Sequence, residues 1–444
     1  MASPSPAATQ ADKQPAAPYN PSPITKHYEF GGPLGALGVT LAVPFFSYWL
    51  AFAADAQGPW PLVDFAEYHA AGWKLMQREQ WWLDLFSWDA TIAYCAWYFW
   101  CVACWAALPG KEAQGVELRN GRRLTYTMNG FATLFLTFAM IAAWTYKFGL
   151  GALLYVPNNW AQLLSAALVM SWWQAWGVYF MSYIGKPMLA VGGNTGTTLY
   201  DWFIGRGLNP RIGEFDIKSF NELRPGMILW LVFDLSLIAY QYDKLGRITD
   251  SIVLTSAFHA WYVFDALYNE PAVLTTMDIT TDGFGFMLAV GDLVWVPFTY
   301  CYTTYWLAHH PKDLGLLGCA GVVAAQLFGY WIFRGANNEK NEFRQGRNPK
   351  NLKSFQTERG TRLLTSGWWG LSRHPNYMGD WIMAWAWCLP AGFSSPLPYF
   401  YPIYFAILLV HRQQRDDEAC AQKYKKDWET YKRLVPSRII PYIY

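Results

Sequence analysis

The chain has 444 residues, of which 53% are hydrophobic, 18% aromatic and only 15% charged. Soluble domains usually carry about 25% charged residues, so this composition excludes a soluble globular protein and favours one that crosses a membrane several times. A net charge of +2 excludes binding to nucleic acid through a dominant basic surface, and we expect no nucleic-acid partner.

The N-terminal segment differs in composition from the rest of the chain. Its first 27 residues are rich in Pro, Ala, Ser and Gln and contain no apolar run. Such a segment cannot bury enough apolar surface to fold, and it lacks the apolar region of a signal peptide. We therefore predict a disordered cytosolic tail over residues 1–27.

Ten apolar segments follow the tail. A helix needs about 20 apolar residues to cross the bilayer core, and fewer when its ends lie inside protein. The candidate spans are 31–54, 91–109, 128–147, 161–185, 226–242, 249–268, 284–307, 313–333, 377–393 and 396–411. The last two are short and are joined through prolines, which indicates a tight hairpin. The predicted fold is an all-α integral membrane protein with about ten transmembrane helices that end in a short C-terminal helical hairpin.

The loops between these segments predict the orientation of the chain. Lys and Arg accumulate in loops 110–127, 186–225 and 334–376 and in the C-terminal tail, whereas the alternate loops are short and poor in charge. Basic loops stay on the cytosolic side, so we predict cytosolic N- and C-termini. Loop 269–283 departs from the pattern, with three acids and no base. Acids contribute little to orientation, and this loop places carboxyl groups beside the membrane.

The seven cysteines form an odd number and lie mostly in apolar segments, which argues against a disulfide framework. Cys101 and Cys104 have the spacing of a redox or metal motif, but their segment is apolar and no second ligand pair accompanies them. We predict a packing role for both and no metal site.

Ionisable residues inside the apolar spans are functional candidates, because a charge is costly there. They are Asp234, His259, Asp265 and Asp292, and Tyr262 lies one helical turn from both His259 and Asp265. Residues three or four apart share a helix face, so these side chains can line one interior surface. The alternative is that they only join helices through hydrogen bonds.

Basic residues follow the eighth span at helical spacing. Lys340 and Arg344 are four apart, and Arg347 is three further on. On a helix they present cations on one side, which suits a ligand that bears phosphate. Ordinary anchoring of a cytosolic loop is the alternative.

Two further polar sites lie at the ends of the C-terminal hairpin. Pro375 ends the preceding element, so a helix begins near Asn376 and Tyr377, and its free N–H groups favour an anion. Asp416 follows the last span and can accept hydrogen bonds from an amide or hydroxyl, although a solvated helix cap would look the same. These positions predict a cofactor pocket on the cytosolic side.

Two long stretches resemble the signatures of the sterol reductase family. They are Gly196–Arg211 and Leu408–Asp416, and the second continues through Tyr431. The resemblance extends over about residues 28–444, and Leu274–Leu288 is most similar to the fungal C-14 sterol reductases. It implies a multi-pass enzyme of the endoplasmic reticulum membrane in ergosterol biosynthesis. Such an enzyme takes its sterol from the bilayer, amid membrane lipid, and reduces the 14,15 double bond with NADPH.

The resemblance also implies a division of the chain and a set of cofactor contacts. Residues 28–333 would hold helices one to eight and the sterol-binding region, and residues 334–444 the NADPH-binding region. By position, the family's NADPH contacts fall on Lys340, Arg344, Leu364, Trp369, Asn376, Tyr377, Asp416, Cys420, Tyr424 and Tyr431.

The reaction itself restricts the catalytic residues. A carbon–carbon double bond without a carbonyl offers no electrophile, so an acid must protonate C15 before hydride reaches the cation at C14. The donor must therefore lie in an apolar pocket. Our hypothesis is that Tyr262 backed by Asp265 is the donor, with Glu270, Asp278 and Asp282 as competitors or members of a proton relay.

Other functions remain open on sequence. A sister reductase for the Δ7 or Δ24(28) bond would use the same cofactor residues. An isoprenylcysteine-type membrane methyltransferase has a similar C-terminal hairpin but gives no role to the acidic loop. A non-catalytic membrane scaffold would normally add an N-terminal binding domain. The sequence leaves the oligomeric state open.

Overall fold

A computed structural model describes residues 20–55 and 82–444 of the chain. Residues 1–19 of the predicted tail lie outside the described residues. Residues 20–27 have no regular secondary structure, yet they contact the 189–194 loop: the amide of Leu189 donates to the carbonyl of Pro21, and the Thr25 hydroxyl donates to the carbonyl of Val191.

Helices dominate the described residues. They are α1 Gly32–Asp55, α2 Trp82–Leu85, α3 Trp88–Ala107, α4 Gly130–Phe148, α5 Gly151–Asn158, α6 Trp160–Met181, α7 Thr198–Ile204, α8 Ile217–Leu223, α9 Pro225–Leu245, α10 Asp250–Tyr268, α11 Met277–Thr280, α12 Phe286–Val290, α13 Tyr302–His309, α14 Gly315–Arg344, α15 Trp368–Leu371, α16 Pro375–Cys388, α17 Phe400–Tyr424 and α18 Lys426–Leu434. A π-helical segment, Gly291–Tyr300, joins α12 to α13, and short 3₁₀ turns cover Glu270–Thr275, Leu389–Ala391 and Leu397–Tyr399.

Three small antiparallel hairpins, which the sequence pattern did not predict, lie between the helices. They pair β1 Lys111–Gln114 with β2 Thr125–Met128, β3 Arg211–Ile212 with β4 Phe215–Asp216, and β5 Ser354–Gln356 with β6 Arg362–Leu364. Each strand has at most four residues, too few to give a clear alternating pattern.

Six helical units in the described part of the chain are long and apolar enough to cross a bilayer. They are Gly32–Ala54, Trp88–Ala107, Gly130–Phe148, Ile217–Leu245, Phe286–His309 and Gly315–Arg344. The mostly helical, membrane-spanning class is therefore confirmed. The other four predicted spans coincide with α6, α10, α16 and α17, which are helical but do not combine the length and the hydropathy of the six units. The count of ten spans stays a prediction.

Burial separates the central helices from the outer ones. Ile217–Leu245 and Phe286–His309 are 78% and 72% buried, whereas the other four apolar units are at most 33% buried. The exposed faces of those outer units are apolar, as a lipid boundary requires. The central pair therefore forms the core around which the remaining helices pack.

Two glycines allow α14 and α16 to pack closely. A Cβ atom on Gly329 would lie 2.8 Å from the carbonyl oxygen of Gly379, and one on Gly379 would lie 2.7 Å from that of Gly329. Such contacts are too short for any larger residue, a pattern common where membrane helices touch. This contact places the first half of α16 beside the middle of α14.

Helices α14 and α17 run further than the apolar segments that predicted them. The predicted spans stop at residues 333 and 411, whereas the helices end at Arg344 and Tyr424. Hydropathy ends where charged residues begin, but the helical backbone continues because those residues are good helix formers. These extensions carry the polar residues that form the candidate site.

Candidate active site

A cavity of about 660 Å³ lies where the extensions of α14 and α17 meet α18 and the β5–β6 hairpin. We call it the cofactor pocket because most of the predicted cofactor contacts line it. Its volume is in the range of pockets that hold small molecules and cofactors. Eight of the ten residues expected to contact a dinucleotide line it: Lys340, Arg344, Leu364, Trp369, Asp416, Cys420, Tyr424 and Tyr431. They come from five separate elements, α14, β6, α15, α17 and α18, and are brought together only by the fold.

Asn376 and Tyr377 do not line this pocket but lie next to its wall. Both are in the first turn of α16, directly after His374, which does line it. The rings of Tyr377 and His374 are stacked with centroids 4.8 Å apart. The Oδ1 atom of Asn376 is buried and has no hydrogen-bond partner among the described residues.

The pocket lining is strongly basic. Lys340, Arg344, Arg362, Arg373 and Lys423 face it, against the single carboxylate of Asp416. Such a surplus of cations is suited to phosphate groups, which guanidinium groups bind with paired hydrogen bonds.

Aromatic rings form another wall of the pocket. Tyr424, Trp428 and Tyr431 are stacked, with centroids 6.2 and 5.2 Å apart along the series. Across the pocket, the Lys340 ammonium lies 4.0 Å from the centre of the Trp369 ring, whose Nε1 donates to the carbonyl of Ala336. These flat surfaces and cations together suit a ligand that has both planar rings and phosphates.

Burial shifts the pKa of several side chains that line the pocket. It raises the pKa of the Asp416 carboxyl and raises the pKa of the Cys420 thiol to about 12, so this thiol is not a ready nucleophile. Burial, together with the charges of Lys340 and Arg373, lowers the pKa of His374 to about 3. A neutral imidazole therefore lies 3.6 Å from the Asp416 carboxylate.

Helix α16 connects the cofactor pocket with the interior of the protein. It begins beside His374 and continues through Asp380 to Trp387. Trp387 lies ten residues after Tyr377, a distance of about 15 Å along the helix at 1.5 Å per residue. The ring of Trp387 lies 5.2 Å from that of Tyr262, the predicted proton donor on α10.

Tyr262 is part of an aromatic cluster formed by Trp230, Tyr262, Tyr300, Trp387 and Tyr401. The Trp230 ring lies 6.0 Å from Tyr262 and 5.4 Å from Tyr300, and Tyr401 lies 4.8 Å from Tyr300 and 5.5 Å from Trp387. No hydrogen bond of the Tyr262 hydroxyl is found among the described residues.

The structure shows other partners for Asp265, which was predicted to back Tyr262. Asp265 forms an ion pair with Arg334 on α14 and accepts a hydrogen bond from the Tyr330 hydroxyl at 3.2 Å. The helical spacing correctly places the two residues near each other, but α14 supplies a cation that takes the carboxylate.

The three acids of loop 269–283 are also held by arginines. Glu270 lies 2.7 Å from Arg224 and accepts from the amide of Gly130 at 3.0 Å. Asp278 lies 2.7 Å from Arg412. Asp282 accepts a hydrogen bond from each terminal nitrogen of Arg415, at 3.1 and 2.7 Å.

These contacts give the acidic loop a structural role. Two of its three partners, Arg412 and Arg415, belong to the C-terminal motif at 408–416. The loop therefore joins the middle of the chain to α17.

Some residues at the site were missed by the sequence pattern. Asp380 lies inside a predicted span, on α16 between Tyr377 and Trp387. The rule that selected Asp234 applies equally to Asp380 and could have found it. Arg362 lies in a three-residue strand and carries no local signal that would predict it.

The cysteines agree with the expected packing role. Cys101 and Cys104 are buried free thiols. No group of His, Cys, Asp and Glu side chains within residues 20–55 and 82–444 has the arrangement of a metal site.

Comparison with known proteins identifies relatives over nearly the whole chain. The model of the ergosterol biosynthesis ERG4/ERG24 family matches residues 24–444. A protein of Schizosaccharomyces pombe named Delta(14)-sterol reductase is 50% identical over 423 residues, which cover 94% of this chain and 97% of the relative. A Delta(14)-sterol reductase of Ascobolus immersus is 47% identical, covering 94% and 99%. One of Saccharomyces cerevisiae is 44% identical, covering 95% and 99%.

Proposed function

This chain belongs to the ergosterol biosynthesis ERG4/ERG24 family, and we propose that it is a Δ14-sterol reductase that reduces the C14=C15 double bond of sterol intermediates. The observation that carries the proposal is the identity of 44–50% with fungal proteins of that name over nearly the full length of both chains. The position of α16, between a basic pocket and the partly buried Tyr262, supports it.

NADPH is the cofactor that we assign to the cofactor pocket. Lys340, Arg344 and Arg362 would hold its phosphates, and the stack of Tyr424, Trp428 and Tyr431 offers faces for its rings. When bound, NADPH supplies the hydride that C14 receives.

The protein's own side chains would supply the proton and stabilise the cation. We assign the proton for C15 to the hydroxyl of Tyr262, because the acids of the loop and Asp265 are engaged in ion pairs. The aromatic cluster around Tyr262 excludes water and faces the cationic carbon that protonation leaves. Each desolvated ring face can stabilise such a cation by up to about 2 kcal/mol.

The substrate and the membrane location follow from the same assignment. A sterol is apolar and dissolves in the bilayer, so we propose lateral entry between spans five to seven and the C-terminal hairpin. We further propose that the protein resides in the endoplasmic reticulum membrane with both termini cytosolic, because its basic loops and cofactor pocket would then share one side.

A substrate comparison tests the assignment. Purified enzyme with NADPH should reduce an 8,14-diene sterol and leave a 5,7-diene and a Δ24(28) sterol unchanged, as measured by gas chromatography of the products. Reduction of one of those other sterols with the 8,14-diene left intact would instead make the protein a sister reductase.

A further inference from the structure

The interior holds a buried pair of ionisable groups, Asp234 on α9 and His259 on α10, that the proposed reaction has not used. Asp234 is 2% exposed and His259 is completely buried. The His259 Nδ1 atom lies 2.9 Å from the Asp234 carboxylate. Ionisable groups this deep in a membrane protein are costly and generally serve a function.

The hydrogen bonds of His259 allow its proton to occupy two positions. Besides the carboxylate, Nδ1 lies 3.2 Å from Nε1 of Trp230, which can only donate. With the proton on Nδ1, His259 donates to Asp234. With the proton on Asp234, the single lone pair of Nδ1 accepts one hydrogen bond, from the carboxyl or from Trp230. The site therefore accommodates the proton on either partner.

His259 also has a free polar atom. Its Nε2 is buried without a hydrogen-bond partner among the described residues, whereas the Asp234 carboxyl has the Thr304 hydroxyl beside it. A pair that serves only to hold two helices together would gain stability if Nε2 were satisfied. The free Nε2 is instead suited to a group that passes a proton on.

The pair lies beside the proposed proton donor. His259 and Tyr262 are three residues apart on α10 and therefore share a helix face. Both rings pack against the same two indoles: His259 lies 4.8 Å from Trp230 and 5.1 Å from Trp387, and Tyr262 lies 6.0 and 5.2 Å from them.

We propose that Asp234 and His259 form a buried proton relay that reloads the Tyr262 hydroxyl after each turnover. The inference rests on the proposed function, in which the Tyr262 O–H bond breaks and its proton forms the new C–H bond at C15. The resulting phenolate takes a proton from the imidazolium of His259, whose N–H bond breaks while Asp234 remains a carboxylate. A proton from water restores the pair once the product has left, so one proton is consumed per turnover.

Separating the first turnover from later ones tests the relay. Full-length His259→Gln and Asp234→Asn enzymes, saturated with NADPH, are mixed with an 8,14-diene sterol in a rapid-quench instrument. The first turnover uses the proton already on Tyr262, so its rate should stay within about threefold of wild type. The steady-state rate should fall by about 30-fold or more, since reloading is slowed.

A matched control separates this role from a structural one. Gln241 is another fully buried polar residue on α9, and it bonds to Thr249 and to the carbonyl of Leu307. The Gln241→Leu variant should lower the melting temperature but keep the wild-type ratio of first to later turnovers. If the relay variants behave like Gln241→Leu, or if their first and later turnovers fall equally, the relay is wrong.

Two controls distinguish a failure of the relay from a failure of the proposed function. Tyr262→Phe should abolish the first turnover, and a normal first turnover in that variant would reject Tyr262 as donor. Wild-type enzyme that leaves the 8,14-diene intact would reject the proposed reaction before the relay is considered. If the His259 variant does not fold, the Asp234→Asn variant gives the same comparison, because it keeps the shape of the side chain.

Discussion

At the scale of single residues, the proposed chemistry depends on one hydroxyl group surrounded by aromatic rings. Tyr262 lies among the rings of Trp230, Tyr300, Trp387 and Tyr401. The acids of loop 269–283 are paired with arginines, and Asp265 is bound by Arg334 and Tyr330. We therefore propose that a phenol, rather than one of these carboxylates, donates the proton, because a neutral phenol tolerates an apolar site.

The hydroxyl of Tyr262 can be removed with little change in shape. Tyr262→Phe should lower kcat by about 100-fold or more, the usual contribution of a general acid, and should leave the Kd for NADPH near that of wild type. Product formation and NADPH titration measure the two effects. Tyr268→Phe, at a position 76% exposed on the same helix, is the control and should be active. Full activity in Tyr262→Phe would move the donor elsewhere.

We expect Arg344 to bind the 2′-phosphate that NADPH has and NADH lacks. Arg344→Ala removes a cation that lines the cofactor pocket, so it should weaken NADPH binding by about tenfold or more and NADH binding much less. Calorimetric titration with both nucleotides gives the ratio. Arg347→Ala changes a neighbouring cation that does not line the pocket and should bind both normally. Equal losses for the two nucleotides with Arg344→Ala would show that Arg344 does not contact this phosphate.

At the scale of elements, the acidic loop fixes α17 against the helix core. Arg412 and Arg415 lie one turn apart on α17 and reach Asp278 and Asp282, more than 130 positions earlier in the chain. Lys218 strengthens this junction, since its Nζ donates to the carbonyls of Ile279 and Asp282. Because α17 also carries Asp416, these pairs position one wall of the cofactor pocket.

A double-mutant cycle measures the strength of this junction. The side chains of Asp282 and Arg415 are 7% and 17% exposed. Asp282→Asn alone should destabilise the protein by about 2 kcal/mol, because Arg415 loses its charged hydrogen bonds to Asp282 and keeps the longer contact to Glu29, at 3.3 Å. The loss from Asp282→Asn and Arg415→Gln together should be smaller than the sum of the two, as measured by denaturation in detergent.

The exposed pair of Arg247 and Asp313 provides the control for that cycle. Its side chains are 60% and 47% exposed, and solvent screens their attraction. The same substitutions at this pair should show no measurable coupling. Additive losses at Asp282 and Arg415 would mean that the ion pair does not hold α17.

At the scale of the whole molecule, the two ends of α14 lie on opposite sides of the helix bundle. Arg344 at one end lines the cofactor pocket, whereas Leu314 at the other bonds through its amide to Asp250 at the start of α10. The thirty residues of α14 span about 45 Å, enough to cross a bilayer. The cofactor pocket and the turns at 246–249 and 310–314 should therefore face different compartments.

A glycosylation reporter tests this orientation. A flexible insert with an Asn-X-Thr acceptor should be glycosylated when placed in the 310–314 turn, because we expect that turn to face the lumen of the endoplasmic reticulum. The same insert at the N- or C-terminus, or in the 346–352 loop beside the cofactor pocket, should not be modified. Electrophoretic mobility before and after glycosidase treatment gives the result. Modification at the C-terminus would contradict the predicted cytosolic termini.

Much of the architecture could be predicted from local sequence, because helix formation in a membrane depends on apolar runs that are contiguous in the chain. All ten predicted segments are helical, and eight of the ten expected cofactor contacts share one pocket. Local patterns were less informative where a polar helix extends beyond the membrane, as in α14 and α17, and where a strand is only two to four residues long.

The amino-acid sequence by itself determined the membrane class, the positions of the helices and the basic character of the cofactor region, since each depends on neighbouring residues. Only the tertiary structure decided which carboxylates remain available for chemistry. Ion pairing depends on distance in space, and Asp265, Asp278 and Asp282 meet their arginines across 69 to 134 positions of sequence. The close contact of Gly329 with Gly379, which aligns α16 between the pocket and Tyr262, likewise depends on packing that no single segment encodes.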